Sequence, residues 1–216
     1  MNKTARRLRY RTELRTEIME AAREIFAREG YEGFTVRKLA KRIGYSPASI
    51  YLHFRNKEEL FDCLVEESFE RLRKALAGLK NGHDQDPVAA LRKGMHTYVT
   101  FGLRNPNDYR FAFMLRQPDP EGPYQIHPAF EIMRQMVRRC VEQKRFREVN
   151  VETTGQALWA SAHGIASLLI QRPTFPWAPK RELVGQVIDN AIDSLMTTPD
   201  PAAELAGGHH GLLSRV

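Results

Sequence analysis

The most regular feature of the chain is the recurrence of apolar residues every three or four positions, which is the spacing of one face of an α-helix. Two such stripes lie in the first quarter, separated by Gly30, which we expect to end the first helix as a left-handed cap. They comprise Ile18, Ala21, Ala22, Ile25 and Phe26, and then Val36, Leu39, Ala40 and Ile43. No segment alternates apolar and polar residues as a half-buried strand does, so the pattern predicts an all-α fold.

Residues that favour helix ends divide the following region into short pieces. Thr35 is a good N-cap for the second helix, and Gly44 closes it. Ser46 is again a good N-cap, with Pro47 at the first helical position, where its missing N–H costs nothing. Asn56 predicts the start of a fourth helix that would span roughly 35 Å and link two halves of the molecule.

Polar and proline-rich breaks divide the rest of the chain. The segment 117–128 holds four of the twelve prolines and is predicted to be a loop. Further helices are predicted at 88–104, from Asn105-Pro106 onward, and at 129–146, 151–171 and 180–196. We expect a basic N-terminal arm at 1–14, a three-helix domain at 15–62 with its fourth helix running to about 80, a second helical domain at 81–196 and a disordered tail at 197–216.

Positive charge is concentrated in the first quarter of the chain. Residues 1–57 hold 14 Lys and Arg against 6 Asp and Glu, a formal charge of +8, whereas the whole chain of 216 residues carries +7. This asymmetry predicts an anionic partner for the N-terminal domain, either nucleic acid or a membrane surface. A membrane surface fits less well, because an interfacial helix needs a long apolar face and here that face is required by the core.

Signals for a cellular compartment are few. The chain has no apolar run of about 18 residues, and the basic N-terminus leads into no apolar stretch, so neither a transmembrane helix nor a secretory signal is predicted. Cys63 and Cys140 lack metal-ligand spacing and are expected to be free thiols. We therefore expect a cytoplasmic protein.

The two short helices joined by Gly44 and Tyr45 predict a helix-turn-helix, in which the second helix enters the major groove of DNA. Ser46, Ala48 and Ser49 are small enough for close approach, and Pro47 can contact a thymine methyl group. Arg37 is placed to bind a guanine, while Thr35, Tyr51, His53 and Lys57 are expected to face phosphates. The alternatives are that Tyr51 fills the core and that His53 caps a helix.

The segment TVRKLAKRIGYSPASIYLHFRNKEELF resembles the DNA-binding domain of the TetR family of transcriptional regulators. The resemblance covers residues 15–64 and is carried by Phe26, Gly30, Thr35, Ala40, Gly44, Tyr51, Phe54, Lys57 and Leu60. It implies homodimers on palindromic operators, usually as repressors, with phosphate contacts from Thr35, Tyr51, His53 and Lys57 and base contacts from Arg37, Pro47, Ala48 and Ser49. The preceding Arg6, Arg7, Arg9 and Arg11 either reach a minor groove or stay solvated.

The second half of the chain lacks catalytic motifs. It contains no Gly-rich phosphate loop, no HExxH and no GxSxG, and its histidines do not cluster with carboxylates at ligand spacing. No metal or cofactor is therefore expected. Cys140 with His163 is the only pair that would suit an enzyme, so we expect a non-enzymatic protein.

The helix predicted at 151–171 has two unlike faces. One carries Leu158, Trp159, Ala162, Ala166 and Leu169 with His163 at its edge, and the other carries Ala157, Ala160, Ser161, Gly164 and Leu168. The small second face lets another helix come close, and the last helix has an apolar stripe too broad for one core contact. Together they predict a homodimer through a four-helix interface, with a monomeric core helix as the alternative.

Trp159, His163 and Gly164, together with NPNDYRFAFMLR, resemble a TetR subgroup whose C-terminal domain is named for Trp-His-Gly. Most family members bind a small molecule in this domain. The candidate lining is rich in aromatic residues and Met: Tyr98, Phe101, Phe113, Met133, Trp159 and His163. The alternative for each of them is a plain core position.

These observations predict a ligand-responsive transcriptional regulator, most often a repressor. Its dimer would hold two recognition helices about 34 Å apart, one turn of DNA, until a small molecule releases it. The expected partners are double-stranded DNA with a palindromic operator, a second copy of the chain and a small-molecule effector. The alternative is an effector-independent, nucleoid-type DNA-binding protein.

Overall fold

The computed structural model describes residues 3–78, 86–115 and 128–197, and this part of the chain is all-α, as predicted. It forms α1 (Lys3–Gly33), α2 (Val36–Ile43), α3 (Pro47–Tyr51), α4 (Lys57–Ala77), α5 (Pro87–Arg104), α6 (Pro106–Phe113), α7 (Pro128–Glu142), α8 (Val151–Gln171) and α9 (Lys180–Asp193). None of these helices is long and apolar enough to cross a bilayer. The predicted tail beyond Thr197, the predicted proline-rich loop up to residue 127 and most of the polar break after α4 lie outside the described residues.

Helix α1 begins much earlier than the first apolar stripe, because the residues of the predicted basic arm are helical from Lys3 onward. Gly30 does interrupt the helix, with φ 73° and ψ 179°. That ψ is extended rather than left-handed helical, and one further turn runs to Gly33, so the prediction of a simple cap at Gly30 was wrong. A side chain with a Cβ would be strained at this φ, which explains the glycine.

The predicted helix caps are all present in the helix-turn-helix. The Thr35 hydroxyl accepts a hydrogen bond from the Lys38 amide at 3.2 Å, and the Ser46 hydroxyl accepts one from the Ser49 amide at 3.2 Å. Gly44 ends α2 in the left-handed region, with φ 73° and ψ 23°. Because each cap bonds within three or four residues, local sequence is enough to fix these short helices.

The C-terminal helices match their predicted positions, but two end earlier than the apolar pattern suggests. α7 was expected to reach 146 and α9 to reach 196, and they stop at Glu142 and Asp193. The residues beyond them meet in an antiparallel bridge between Phe146 and Met196, and the Arg147 amide donates to the Leu195 carbonyl at 3.0 Å. Their apolar side chains pack on the core from outside a helix, which periodicity alone cannot distinguish.

The described residues build two hydrophobic cores, and α6 contributes to both. The N-terminal core gathers the apolar face of α1 with residues of α2, α3 and the start of α4, and it also includes Phe111 from α6. The second core is formed by the end of α4 and by α5, α7, α8 and α9, and it includes Tyr109 from α6. A helix of eight residues therefore joins the two halves.

Candidate nucleic-acid interface and effector site

The third helix presents its small residues outward. Pro47 and Ala48 are exposed, whereas Ile50 points into the N-terminal core and is 1% exposed. Tyr51 is 53% exposed, so it does not fill the core. The Ser46 and Ser49 hydroxyls lie 2.9 Å apart at the start of the helix. The result is a shallow surface that ends in a projecting phenol.

Basic residues flank this surface. Arg37 lies exposed in the first turn of α2. The ammonium group of Lys57, in the first turn of α4, lies 3.9 Å from the centre of the Tyr31 ring, a cation–π contact that holds the charge in place. His53 is half-buried, and its pKa is lowered by burial first and then by the nearby charges of Arg11 and Arg15. At neutral pH its imidazole is therefore uncharged.

All nine predicted DNA contacts come from one stretch of chain between the N-cap of α2 and the first turn of α4. Thr35, Arg37, Ser46, Pro47, Ala48 and Tyr51 are exposed, and Ser49, His53 and Lys57 are half-buried. None of the nine is buried. The contact between Tyr45 and α1 was not predicted from sequence: the Tyr45 hydroxyl lies 3.5 Å from that of Tyr10. The hydrogen bond between the two phenols raises the pKa of Tyr45 to about 12.

In the second core a polar cluster is formed by side chains of α5, α6 and α8. Nδ1 of His163 lies 3.0 Å from the Tyr98 hydroxyl and 2.7 Å from the Tyr109 hydroxyl. The Trp159 indole N–H donates to the Tyr98 hydroxyl at 3.2 Å. Four groups that can form hydrogen bonds thus meet inside an otherwise apolar region.

Aromatic rings surround this polar cluster. The Phe113 ring lies 5.1 Å from His163 and 5.0 Å from Tyr109, and the Phe130 ring lies 5.9 Å from Trp159. Tyr98, Phe113, Trp159 and His163 were predicted and do come together. Of the other two predicted residues, Met133 belongs to the same core and Phe101 packs against it. Tyr109 and Phe130 were missed as lining residues, although Tyr109 lies in the aromatic sequence that marks α6.

The polar cluster carries no net charge at neutral pH. Burial lowers the pKa of His163 and raises the pKa of Tyr98 to about 12, and it raises the pKa of Tyr109 further. The imidazole is therefore neutral and both phenols keep their protons. Such a site offers neutral hydrogen-bonding groups between aromatic rings.

The lowered pKa of His163 predicts that acid destabilises the fold. Below pH 6.5, the ordinary pKa of histidine, His163 binds a proton in the unfolded chain, whereas the buried imidazole of the folded chain stays neutral. The free energy of unfolding therefore falls as the pH drops from 6.5 toward the lower pKa of the folded state. Urea titrations between about pH 7 and pH 5 should show this fall. His163→Gln should make it shallower without removing the parts due to His53 and His96, whose pKa values are also lowered by burial. An unchanged slope would show that His163 binds its proton equally in the folded and unfolded states.

Cys140, which together with His163 would suit an enzyme, does not have a reactive thiol. Cys140 is fully buried in the second core, and burial raises the pKa of its thiol to about 12. A buried thiol of such high pKa is a poor nucleophile. Within the described residues, no three acidic, His or Cys side chains are grouped to hold a metal ion.

A buried ion cluster connects α6 with the N-terminal domain. Asp108 is 4% exposed, and its carboxylate accepts hydrogen bonds from Arg23 of α1 and, at 3.2 Å, from Arg71 of α4. Glu67 of α4 bonds the same two guanidinium groups at 2.7 Å and 3.0 Å. Next to Asp108 in sequence, Tyr109 bonds His163 on the other side of the helix. Sequence reasoning missed this cluster, because its members are up to 85 residues apart.

The fold and the exposed surface of α3 define a helix-turn-helix regulatory protein with a helical C-terminal domain. Comparison with known families agrees: the family described as bacterial regulatory proteins, tetR family, matches residues 18–64, and a tetracyclin repressor-like C-terminal domain matches residues 91–195. The chain belongs to the TetR family of DNA-binding regulators, as its sequence predicted. The family is one of regulators rather than enzymes, which also agrees with the prediction. Membership of the Trp-His-Gly subgroup stays a prediction.

Individual relatives share most of the chain. The nucleoid occlusion factor SlmA of Escherichia coli is 32% identical over 152 residues, which cover 68% of this chain and 75% of SlmA. The TetR-family transcriptional regulator PfmR of Thermus thermophilus is 26% identical, with a TM-score of 0.61 over 82% of this chain and 97% of PfmR. FadR of Bacillus subtilis, solved with stearoyl-CoA, is 18% identical with a TM-score of 0.69 over 83% of this chain and 98% of FadR, a likeness of fold alone.

Proposed function

We propose that the protein is a ligand-responsive transcriptional regulator that acts as a repressor. It would bind a palindromic operator as a homodimer and be released by a small molecule. The observation that carries this proposal is the double role of α6. Asp108 and Phe111 of α6 contact residues of the N-terminal half, while Tyr109 of the same helix contacts His163 in the polar cluster. An effector that displaced Tyr109 would therefore move a helix that is anchored in the DNA-binding domain.

The operator contacts follow from the surface described above. Arg37, Pro47, Ala48 and Ser49 would face base edges, and Thr35, Tyr51, His53 and Lys57 would fix the protein on the phosphates, with Ser46 allowing close approach. A neutral His53 suits a hydrogen bond to phosphate better than an ion pair. The test is selection of bound duplexes from a random pool. A palindromic consensus would support the proposal, and the absence of any enriched sequence would refute it.

The outer faces of α8 and α9 support dimerisation. On α8, Ala157, Ala160 and Leu168 are exposed, and Leu168 is 48% exposed. A Cβ added at Gly164, in the middle of this face, would meet no atom within 4 Å. On α9, Leu183 and Val187 are only half-buried. A second copy packed on these faces would cover them in a four-helix arrangement.

Gly164→Arg should convert the dimer to a monomer. The long cationic side chain has room in the single chain, and it replaces a residue of poor helix propensity, so the fold should survive. In the dimer it would hold the two copies apart. Sedimentation velocity should show the mass of one chain, with unchanged helical circular dichroism. Gln186→Arg, an equal charge change on an exposed polar part of α9, should remain dimeric. A Gly164→Arg protein that stays dimeric would place the interface elsewhere.

The effector site would be the aromatic surround of Tyr98, Phe113, Trp159 and His163. Its neutral groups favour an uncharged, largely apolar compound that offers at least one hydrogen-bonding atom. Such a compound shifts the population only if it binds the DNA-free state more tightly than the DNA-bound state. Quenching of Trp159 fluorescence by the neutral fluorophore phenylnaphthylamine, and its loss in Trp159→Ala, would test the site directly.

A second candidate function is favoured by one comparison. SlmA, at 32% identity, is named for nucleoid occlusion rather than for a response to a small molecule. A nucleoid-type role without an effector would leave α6 as a purely structural bridge. The two candidates separate in one experiment, in which a compound library is screened for release of the selected duplex. Release by a compound that also quenches Trp159 supports the first candidate, and no release by any compound that occupies the site supports the second.

A further inference from the structure

The inward face of α1 changes its chemistry at the edge of the N-terminal core. Leu14 and Ile18 lie on this face and are 6% and 0% exposed. At 100° per residue, Arg11 and Arg7 lie on the same face, about one and two turns nearer the N-terminus, and both are exposed. This face of α1 is therefore apolar where it packs on the N-terminal domain and cationic where the helix extends beyond that domain.

The extended part of α1 lies beside the helix-turn-helix. The Tyr10 hydroxyl is 3.5 Å from the hydroxyl of Tyr45, which is in the turn that precedes α3. The guanidinium of Arg15 lies 4.6 Å from the centre of the Phe54 ring, just after α3. Arg11 is close enough for its charge to lower the pKa of His53. The N-terminal turns of α1 thus border the surface that faces DNA.

Arg7 and Arg11 differ from the paired arginines Arg9 and Arg28 of α1 in their partners. Arg9 lies on the opposite face and forms an ion pair with Glu13 at 2.8 Å, and Arg28 pairs with Glu29 at 2.8 Å. In the described part of the chain, Arg7 and Arg11 have no acidic partner. Their charge is therefore available to an external anion.

We propose that Arg7 and Arg11, held on a helical extension of α1, bind the DNA phosphate backbone bordering the groove that receives α3. The proposal rests on the proposed DNA-binding function and extends its contact surface beyond the helix-turn-helix. A helix is too wide to enter a minor groove of about 6 Å, which places its backbone outside the groove and favours contacts from these side chains to phosphates. They add affinity and salt dependence without adding sequence preference.

The test compares two variants that lose the same charge. Arg7→Gln/Arg11→Gln removes two cations that have no acidic partner in the described part of the chain, and Arg9→Gln/Arg28→Gln removes two paired, exposed ones. Binding of each protein to the selected duplex is measured by fluorescence anisotropy between about 50 and 200 mM salt. The slope of log affinity against log salt should fall by about 0.9 for each lost contact, or about 1.8 per subunit, in Arg7→Gln/Arg11→Gln only. Both variants should select the wild-type consensus.

The outcomes separate this proposal from the proposed function. If wild type binds its consensus and both variants show equal slopes, the phosphate contacts of α1 are refuted while the operator function stands. If wild type binds duplexes without preference and only the Arg7→Gln/Arg11→Gln slope falls, the contacts stand and the operator function fails. If the Arg7→Gln/Arg11→Gln variant selects a different consensus, the side chains read bases and the proposal is overturned. Circular dichroism that matches wild type shows that the extension remains helical.

Discussion

Pro47→Asp will abolish operator binding while leaving the protein folded. Pro47 is exposed at the first position of α3, beside Ala48 and the Ser46–Ser49 pair. In the proposed complex a carboxylate there would face the phosphates and base edges of the duplex, and like charges in an interface cost several kcal/mol. We expect the affinity for the selected duplex to fall by about 100-fold or more, measured by anisotropy at a fixed salt concentration.

The same substitution favours the fold locally, which makes the result interpretable. An acidic side chain in the first turn of a helix interacts well with the helix dipole, and Pro47 makes no backbone hydrogen bond that could be lost. The melting temperature should therefore stay close to that of wild type. Pro106→Asp provides the matched control, because Pro106 is also an exposed first residue of a helix, α6, but lies in the second half of the chain. Wild-type binding by Pro47→Asp would place the recognition surface elsewhere.

The helix-turn-helix was predictable from sequence because its structure is local. The Thr35 and Ser46 caps act over three residues, and Gly44 needs only its own φ, so pattern and composition specify the helix-turn-helix. The outward exposure of Tyr51 also follows from Ile50 and Phe54, which occupy the inward positions of the same short segment. Here the period of the helix, the caps and the charge all indicate one arrangement.

The connection between the two halves was not predictable in the same way. α6 is apolar on two sides, and its periodicity does not reveal that Phe111 enters one core and Tyr109 the other. The partners of Asp108 and Tyr109 come from helices 37 to 85 residues away. Such pairings depend on how the helices pack, which a single sequence does not encode in any short window. The basic extension of α1 was treated as a separate arm for a related reason: its residues lack the apolar stripe that marked the rest of the helix.

Asp108→Asn will lower the free energy of unfolding by about 3 kcal/mol, because it removes the most buried carboxylate of the ion cluster and leaves two guanidinium groups facing Glu67 alone. The amide keeps the shape of the side chain, so the loss measures charge and not packing. The Arg23 side chain is only 16% exposed, and in the variant it would keep Glu67 as its one acidic partner. Urea denaturation of both proteins at the same concentration would give the difference, since the stability of the proposed dimer would depend on concentration.

A matched substitution on α4 separates the effect of burial from the loss of a carboxylate. Glu70 pairs with Arg73 at 2.6 Å on the outer side of the helix, and that hydrogen bond lowers the pKa of Glu70 to about 2. Glu70→Gln should nevertheless unfold close to wild type, because exposed pairs are screened by water and salt. If Asp108→Asn proved as stable as Glu70→Gln, the ion cluster would add little to the attachment of α6, and apolar contacts such as that of Phe111 would hold this helix to the N-terminal domain. The ion cluster would then have no part in transmitting an effector's displacement of Tyr109, because contacts that add no stability cannot shift the recognition helices.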